Sequence, residues 1–196
     1  MEIVLASSNK GKIKEFRELL KPYDITVLSL ADIGFTQEIV ENGDSFLANA
    51  LIKAQTVYDY IHKPVVADDS GLCVSALNGA PGIYSARYMG LATDKLRRKG
   101  LLGNLKNVLN RKAYFNCTIV YYKAANDYQS FTGICNGTIT EMEEGTNGFG
   151  YDSIFIPDGA TKTFAMMSDE EKNQVSHRAY ASAKFVEYLK NDFNNK

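Results

Sequence analysis

Several short stretches of the sequence carry residue types that can do chemistry. In Ala67-Asp68-Asp69-Ser70-Gly71-Leu72 two carboxylates stand side by side after the apolar run Val65-Val66-Ala67. Adjacent acids repel each other unless a cation or a proton intervenes. Mg2+ suits such oxygens, because it takes one or two carboxylates and fills its remaining positions with water and substrate phosphates. Neighbouring residues on a regular strand point to opposite faces, so one acid is expected to meet the metal and the other to serve the structure. Taken alone, the stretch fits equally well an Asp-Ser-Gly turn at a strand end with both acids in water. Glu38 and Glu41 form a second acidic patch, and only a shared metal would bring them into the same site.

A different chemistry is suggested by Ser7-Ser8-Asn9-Lys10-Gly11-Lys12, where hydroxyls, backbone N–H groups and two ammonium groups gather at the start of a helix. Such a site favours phosphate, although the spacing of a Walker A loop is absent and an ordinary helix cap has the same composition. Gly148-Phe149-Gly150-Tyr151-Asp152 sets aromatics among glycines and ends in a carboxylate. Glycines let the backbone approach a ligand, an aromatic ring offers a stacking face, and Asp152 could accept hydrogen bonds from a base edge. Lys172, His177 and Arg178 fall on or beside the last helix; in isolation such residues are ordinary surface residues.

These residues need elements to hold them. Glu2 to Ala6 reads as a strand that stops at Ser7-Ser8-Asn9, and Ile13, Phe16 and Leu20 then recur at helical spacing until Pro22. A second strand covers Ile25 to Leu28. Asp44 or Ser45 can cap a helix whose stripe is Phe46, Leu47, Ala50, Leu51, Ala54, Val57, Tyr58 and Ile61. Val65-Val66-Ala67 is a short buried strand ending at the paired acids. Residues 78 to 90 read as a structured loop with a helical turn around Ser85 to Tyr88. A further helix is expected around Leu101, Leu102, Leu105, Val108 and Leu109, weakened by Gly100 and Gly103. Tyr114 to Tyr122 alternates with period two and pairs with Tyr128 to Ile139 as an antiparallel hairpin. Ser153 to Ile156 is a strand halted by Pro157. Ser168-Asp169-Glu170-Glu171 is a capping box opening one C-terminal helix with Val175, Ala179, Phe185, Val186 and Leu189 inward. The ending Asn191 to Lys196 is expected to fray. Helices mixed with both parallel and antiparallel strands make the fold α/β with a mixed sheet.

Composition bounds what such a fold can do. The 196 residues suit one domain, with 22 Lys+Arg balanced by 23 Asp+Glu and a net charge of −1, which excludes nucleic-acid binding through a global basic field. An anionic partner must be held by a local positive site. No apolar run is long enough to span a membrane and no secretory signal is visible, so the expected location is cytoplasmic. The three cysteines, Cys73, Cys117 and Cys135, are far apart and read as small hydrophobes, not as a zinc cage or disulfide framework.

Taken together, four stretches identify the sequence as similar to the inosine triphosphate pyrophosphatase-like, or Ham1-like, family. They are Ala67 to Leu72, Gly79-Ala80-Pro81-Gly82-Ile83-Tyr84-Ser85-Ala86-Arg87, Gly148 to Asp152, and Ser176-His177-Arg178. The resemblance covers nearly the whole chain. It implies a homodimeric, Mg2+-dependent hydrolase that cleaves ITP, dITP and XTP between the α- and β-phosphorus atoms, releasing the monophosphate and pyrophosphate and so cleansing the nucleotide pool. It also implies an elongated mixed sheet in a single domain of residues 1–196, with two lobes flanking an active-site cleft. By resemblance, Ser7, Ser8, Asn9, Lys10, Gly11 and Lys12 hold the triphosphate, and Asp69 binds metal and accepts a proton. Ser70, Lys172 and the loop of Phe149, Gly150, Tyr151 and Asp152 contact substrate, and His177 and Arg178 close on the base. One of Glu38 and Glu41 supplies a second metal carboxylate; Glu41 has the better-matching E-x-G setting. Ser8 stands where the family has glycine, which puts the turn geometry there in question, and Gly100 and Gly103 are unusual in that helix.

The family chemistry predicts in-line attack by a water that Asp69 orients or deprotonates, with charge on the leaving pyrophosphate spread over metal and lysines. A donor from Arg178, His177 or a loop N–H would donate to the 6-oxo oxygen of hypoxanthine or xanthine and be left unpaired against the 6-amino group of adenine. Two other readings make distinct predictions. A Maf-like pyrophosphatase would prefer modified pyrimidine nucleotides, and a non-catalytic sensor would bind ITP without releasing pyrophosphate.

Overall fold

A computed structural model describes residues 1–194. The chain order is β1 (Glu2–Leu5), α1 (Lys10–Leu20), β2 (Thr26–Leu28), α2 (Phe46–Ile61), β3 (Val65–Val74), α3 (Asp94–Asn104), β4 (Lys112–Ala124), β5 (Asp127–Ile139), β6 (Phe155–Pro157), α4 (Asp169–Val175) and α5 (His177–Asn194). One six-stranded sheet runs in the order β2-β1-β3-β4-β5-β6. β1 pairs in parallel with β2 and β3, whereas β5 and β6 are antiparallel, so the sheet is mixed as the patterning predicts. The chain divides into two compact units: residues 1–69, 117–133 and 178–196, and residues 70–116 and 134–177.

In the first unit, strand alternation sorts the core. Ile3, Leu5, Val66, Cys117, Ile119 and Tyr121 pack with Phe16 and Leu20 of α1 and with Phe185 and Leu189 of α5. Their neighbours Val4, Ala6, Val65, Ala67, Val120 and Tyr122 pack on the opposite face with Ala50, Ala54 and Val57 of α2. Each apolar layer follows from the two-residue period of the strands and the 3.6-residue period of the helices. In the second unit Leu72, Val74, Phe115, Ile139 and Phe155 pack with Leu101 and Phe164. β4 and β5 are joined by only Ala125 and Asn126, as the expected hairpin requires, and Asn126 takes the left-handed φ of +62°.

Four expectations are corrected. β3 does not end before the paired acids: it runs through Asp68 and Asp69 to Val74 with nearly every residue buried. Leu72, Cys73 and Val74 carry it onward, and their β-type character outweighs the turn character of Ser70-Gly71. The helix expected around 101–109 lies earlier, at Asp94–Asn104, because the Thr93 hydroxyl caps it by accepting the Leu96 N–H at 3.3 Å. Leu109 is fully exposed beyond it, and a side chain on Gly100 would approach the Met89 sulfur at 2.9 Å, a contact the flexible, exposed methionine can relieve by moving. The final strand begins only at Phe155, after a 3-10 turn over Asp152–Ile154. The capping box of Ser168 and Glu171 is present, but it opens a short helix that breaks at extended Ser176, and α5 starts anew at His177. Helix α5 runs through Asn191 to Asn194, part of the ending expected to fray, while Asn195 and Lys196 lie outside the described residues.

Candidate active site

Asp68 and Asp69 inherit the alternation of β3. Asp68 shares the face of Val66, toward α1 and α5; Asp69 shares the face of Ala67, toward α2. The chemistry of each carboxylate follows from what its face presents.

On the α1/α5 face, Asp68 Oδ2 lies 2.9 Å from Lys12 Nζ and 3.4 Å from Arg178 Nη2. Arg178 also pairs with Glu15, and its guanidinium lies over the Phe16 ring at 5.9 Å. Burial would weaken the arginine's charge, but Glu15 and Asp68 outweigh it and hold the guanidinium firmly protonated. A charge-paired network of this kind fixes α1 and α5 against the strand, and removal of one member leaves the others buried without full compensation.

On the α2 face, Lys53 Nζ lies 3.1 Å from Glu41 Oε2 and 3.5 Å from Asp69 Oδ1. Asn49 Nδ2 donates to Asp69 Oδ2 at 3.1 Å, and the Gly43 N–H donates to Asn49 Oδ1 at 2.9 Å, which sets the amide's orientation. Gly43 must be glycine here, because a side chain would meet Ala48 Cβ at 2.7 Å and Asn49 Oδ1 at 2.9 Å. Burial pushes the Asp69 carboxyl above the ordinary aspartate value; Lys53 and Lys12 pull it back, and Glu41 pushes it up again. Burial would lower Lys53, but Asp69, Asp68 and Glu41 raise it above its usual value. Asp69 is thus a carboxylate more basic than usual, held beside a second carboxylate and a permanent cation.

Of the two glutamates in the acidic stretch, Glu41 is the one placed with Asp69; Glu38 is exposed. The donor set of Asp69 and Glu41 fits Mg2+: both are hard oxygen ligands, and both converge on one cationic point, the Lys53 ammonium. No cluster of three or more His, Cys, Asp or Glu side chains suited to a metal occurs among the described residues. Two carboxylates suffice for an ion that shares its shell with water and phosphates.

At the start of α1, Asn9 caps the helix by accepting the Lys12 N–H at 3.1 Å, and the Asn9 N–H donates to Ser7 Oγ at 3.2 Å. Ser8, Asn9 and Lys10 are exposed, with Gly11 and Lys12 partly so. Ser8 is not among the residues with positive φ, so the turn does not need the family's glycine.

In the second unit, Asp152 organises the glycine loop. Its Oδ2 accepts the Phe149 N–H at 2.9 Å and lies 2.7 Å from the buried Lys172 Nζ. The Lys172 ammonium sits 5.2 Å from the Phe149 ring centroid and 5.5 Å from that of Phe164. Gly148 has φ +74°, and a side chain on it would collide with the Asp152 carboxylate. The buried Tyr151 hydroxyl donates to the Ser85 carbonyl at 2.9 Å. His177 stacks on Phe115 with centroids 4.7 Å apart and planes 12° from parallel. Thus His177 and Arg178, adjacent in sequence, serve different surroundings: one an aromatic cluster, the other the Asp68 network. Ser70 is half-buried on β3.

Sequence reasoning missed Asn49, Lys53, Glu15 and Phe115. The signal for the first two was present: an asparagine and a lysine four apart on the inward side of α2, among Ala50, Ala54 and Val57, where burial demands a polar partner. Glu15 looked like one more solvated helix charge until Arg178 was placed beside it.

Comparison with known proteins places this geometry. Residues 3–188 match the model of the Ham1 family. A dITP/XTP pyrophosphatase from Bacillus licheniformis is 44% identical over 191 residues, covering 96% of this chain and 97% of that protein. The Staphylococcus aureus Ham1 protein superposes with a TM-score of 0.87 at 39% identity, covering 98% of this chain and all of that one. A HAM1 protein from Coxiella burnetii gives 0.88 at 37% identity over 97% of this chain and 99% of its own. The motif resemblance and the mixed α/β fold therefore have one explanation: the chain belongs to the Ham1 family.

Proposed function

We propose that this protein is a nucleoside triphosphate pyrophosphatase that hydrolyses ITP, dITP and XTP to the monophosphate and pyrophosphate with Mg2+. The observation that carries the reading is the placement of Asp69, raised in basicity by burial, beside Glu41 and Lys53 on one face of β3. The name dITP/XTP pyrophosphatase borne by the Bacillus licheniformis relative supports the same substrate class. Asp69 and Glu41 would hold Mg2+, which supplies charge neutralisation for the phosphates. Asn49 orients the Asp69 carboxylate, which accepts the proton of the attacking water, and Lys53 balances the charge of both acids. The α1 start, with the hydroxyls of Ser7 and Ser8, Asn9, Lys10 and Lys12, binds phosphate. Lys172, Phe149, Gly150, Tyr151, Asp152 and His177 receive the base, Ser70 contacts the substrate, and Arg178 holds Asp68.

The test is a substrate panel of ITP, XTP, GTP, ATP, UTP and dTTP with and without Mg2+. Turnover of ITP and XTP well above the rest, dependent on Mg2+, is expected; faster hydrolysis of UTP or dTTP overturns the substrate class. The homodimeric state is part of the same proposal, and light scattering of the purified protein at twice the monomer mass is the expected result. No helix among the described residues is long and apolar enough to cross a membrane.

A further inference from the structure

One helix grips the backbone of Gly150 on both sides. Asp94 Oδ2 accepts the Gly150 N–H at 2.8 Å, and Arg98 Nη1 donates to the Gly150 carbonyl oxygen at 2.7 Å. Asp94 and Arg98 are four residues apart on α3 and therefore share a helix face. Arg98 extends the grip, because its Nε donates to Glu143 Oε2 at 2.8 Å, and the same oxygen accepts from Ser153 Oγ at 3.2 Å. The loop is thus held at its entry, its middle and its exit. Asp94 sits in the first turn of α3, where the helix dipole favours a carboxylate, and Arg97 pairs with it at 2.5 Å.

The loop needs such a grip. Gly145, Gly148 and Gly150 all adopt positive φ, and a glycine-rich segment loses more conformational freedom on ordering than any other. Gly148 is explained by its contact with Asp152, but a side chain on Gly150 would meet nothing within 4 Å. What is specific at Gly150 is the capture of its N–H and its carbonyl by two charged side chains. Burial works against the Asp94 charge, yet Arg97, the Gly150 N–H and Arg98 outweigh it, holding the carboxyl below its usual value.

We propose that Asp94 and Arg98 are positioning residues for base recognition, clamping Gly150 so that the Phe149 ring and the Asp152 carboxylate stay fixed around Lys172. The inference rests on the reading of the Phe149–Asp152 loop as the base site. It assigns two residues of α3 a share in affinity for the purine, through the loop that they hold. The clamp acts on binding of the base and not on chemistry at the phosphorus atoms.

The experiment is steady-state kinetics of Arg98→Met, Asp94→Ala and Asp94→Asn with ITP, together with inhibition by inorganic triphosphate, which has no base. Arg98→Met and Asp94→Ala are each expected to raise KM for ITP about ten-fold, the loss of one charge-assisted hydrogen bond, with kcat within about three-fold. The inhibition constant of inorganic triphosphate should not change. Asp94→Asn, whose amide oxygen still accepts the Gly150 N–H, should recover most of the KM lost in Asp94→Ala. A purely structural role would move the triphosphate constant along with KM or leave both unchanged, and either outcome overturns the inference. If Arg98→Met does not fold, Arg98→Lys decides: an ammonium cannot span Glu143 and Gly150 as a guanidinium does, so an unchanged KM there overturns it too. Lack of ITP turnover by the unaltered enzyme would overturn the functional reading and this inference with it; turnover with unchanged KM in the variants would overturn this inference alone.

Discussion

Asp68 and Asp69 are adjacent in β3 but belong to opposite faces of the sheet: Asp68 Oδ2 lies 2.9 Å from Lys12 Nζ of α1, and Asp69 Oδ1 lies 3.5 Å from Lys53 Nζ of α2. Strand alternation gives one pair of like charges two different surroundings, and on the proposed function Asp69 is the acid that does the chemistry. Asp69→Asn keeps the Asn49 contact within reach and removes the proton acceptor. It is expected to lower kcat for ITP by about 10²–10⁴-fold with the circular dichroism spectrum unchanged. Retained turnover would remove Asp69 from its assigned role.

Lys53→Met leaves Asp69 and Glu41 facing each other without their shared cation. Removal of one partner from a buried charge network costs about 3–5 kcal/mol. The Lys53→Met protein should therefore melt well below the unaltered one, and Mg2+ alone, without nucleotide, should raise its Tm more than it raises that of the unaltered protein. Thermal melts in the presence and absence of Mg2+ check both points.

Asp94 makes a signed prediction about pH. Its carboxyl is held below the ordinary aspartate value in the folded state, so its stabilising effect is present above the unfolded pKa and is lost as pH falls through the folded one. Asp94→Asn should lower Tm near neutral pH, by at most about 2–4 °C because the side chain is partly exposed, and the difference should vanish in strong acid. Urea or thermal melts of both proteins across pH measure it; a difference that grows toward acid contradicts the assignment.

Cys73, Cys117 and Cys135 are all buried, and burial pushes the Cys135 thiol up to about 12. At pH 8 only about one part in 10⁴ of that thiol is ionised, and the thiolate is the reactive form. All three should resist a disulfide reagent in the native protein and react promptly in denaturant.

Most of the architecture can be read from residue patterns, because α2 and the β4–β5 hairpin each carry one clean period and β1 is a continuous apolar run. The failures share a cause. Asp68-Asp69-Ser70-Gly71 has turn-forming residues, yet β3 continues through it because Lys12, Arg178, Lys53 and Asn49 compensate both acids from other elements, and no local pattern reveals partners so distant in sequence. Likewise, Ser176 breaks a segment whose apolar spacing from Val175 to Leu189 looks continuous. Lys53 could have been found by asking why a lysine stands in a buried stripe; Glu15 and Asp94 could not, since acids on helix surfaces are ordinary until a partner is placed beside them.

The central claim is cleavage between the α- and β-phosphorus atoms of a purine triphosphate, and product analysis of ITP hydrolysis with Mg2+ tests it most directly. Equal yields of IMP and pyrophosphate, with none formed by Asp69→Asn, are predicted. Orthophosphate and IDP as the first products would contradict the account.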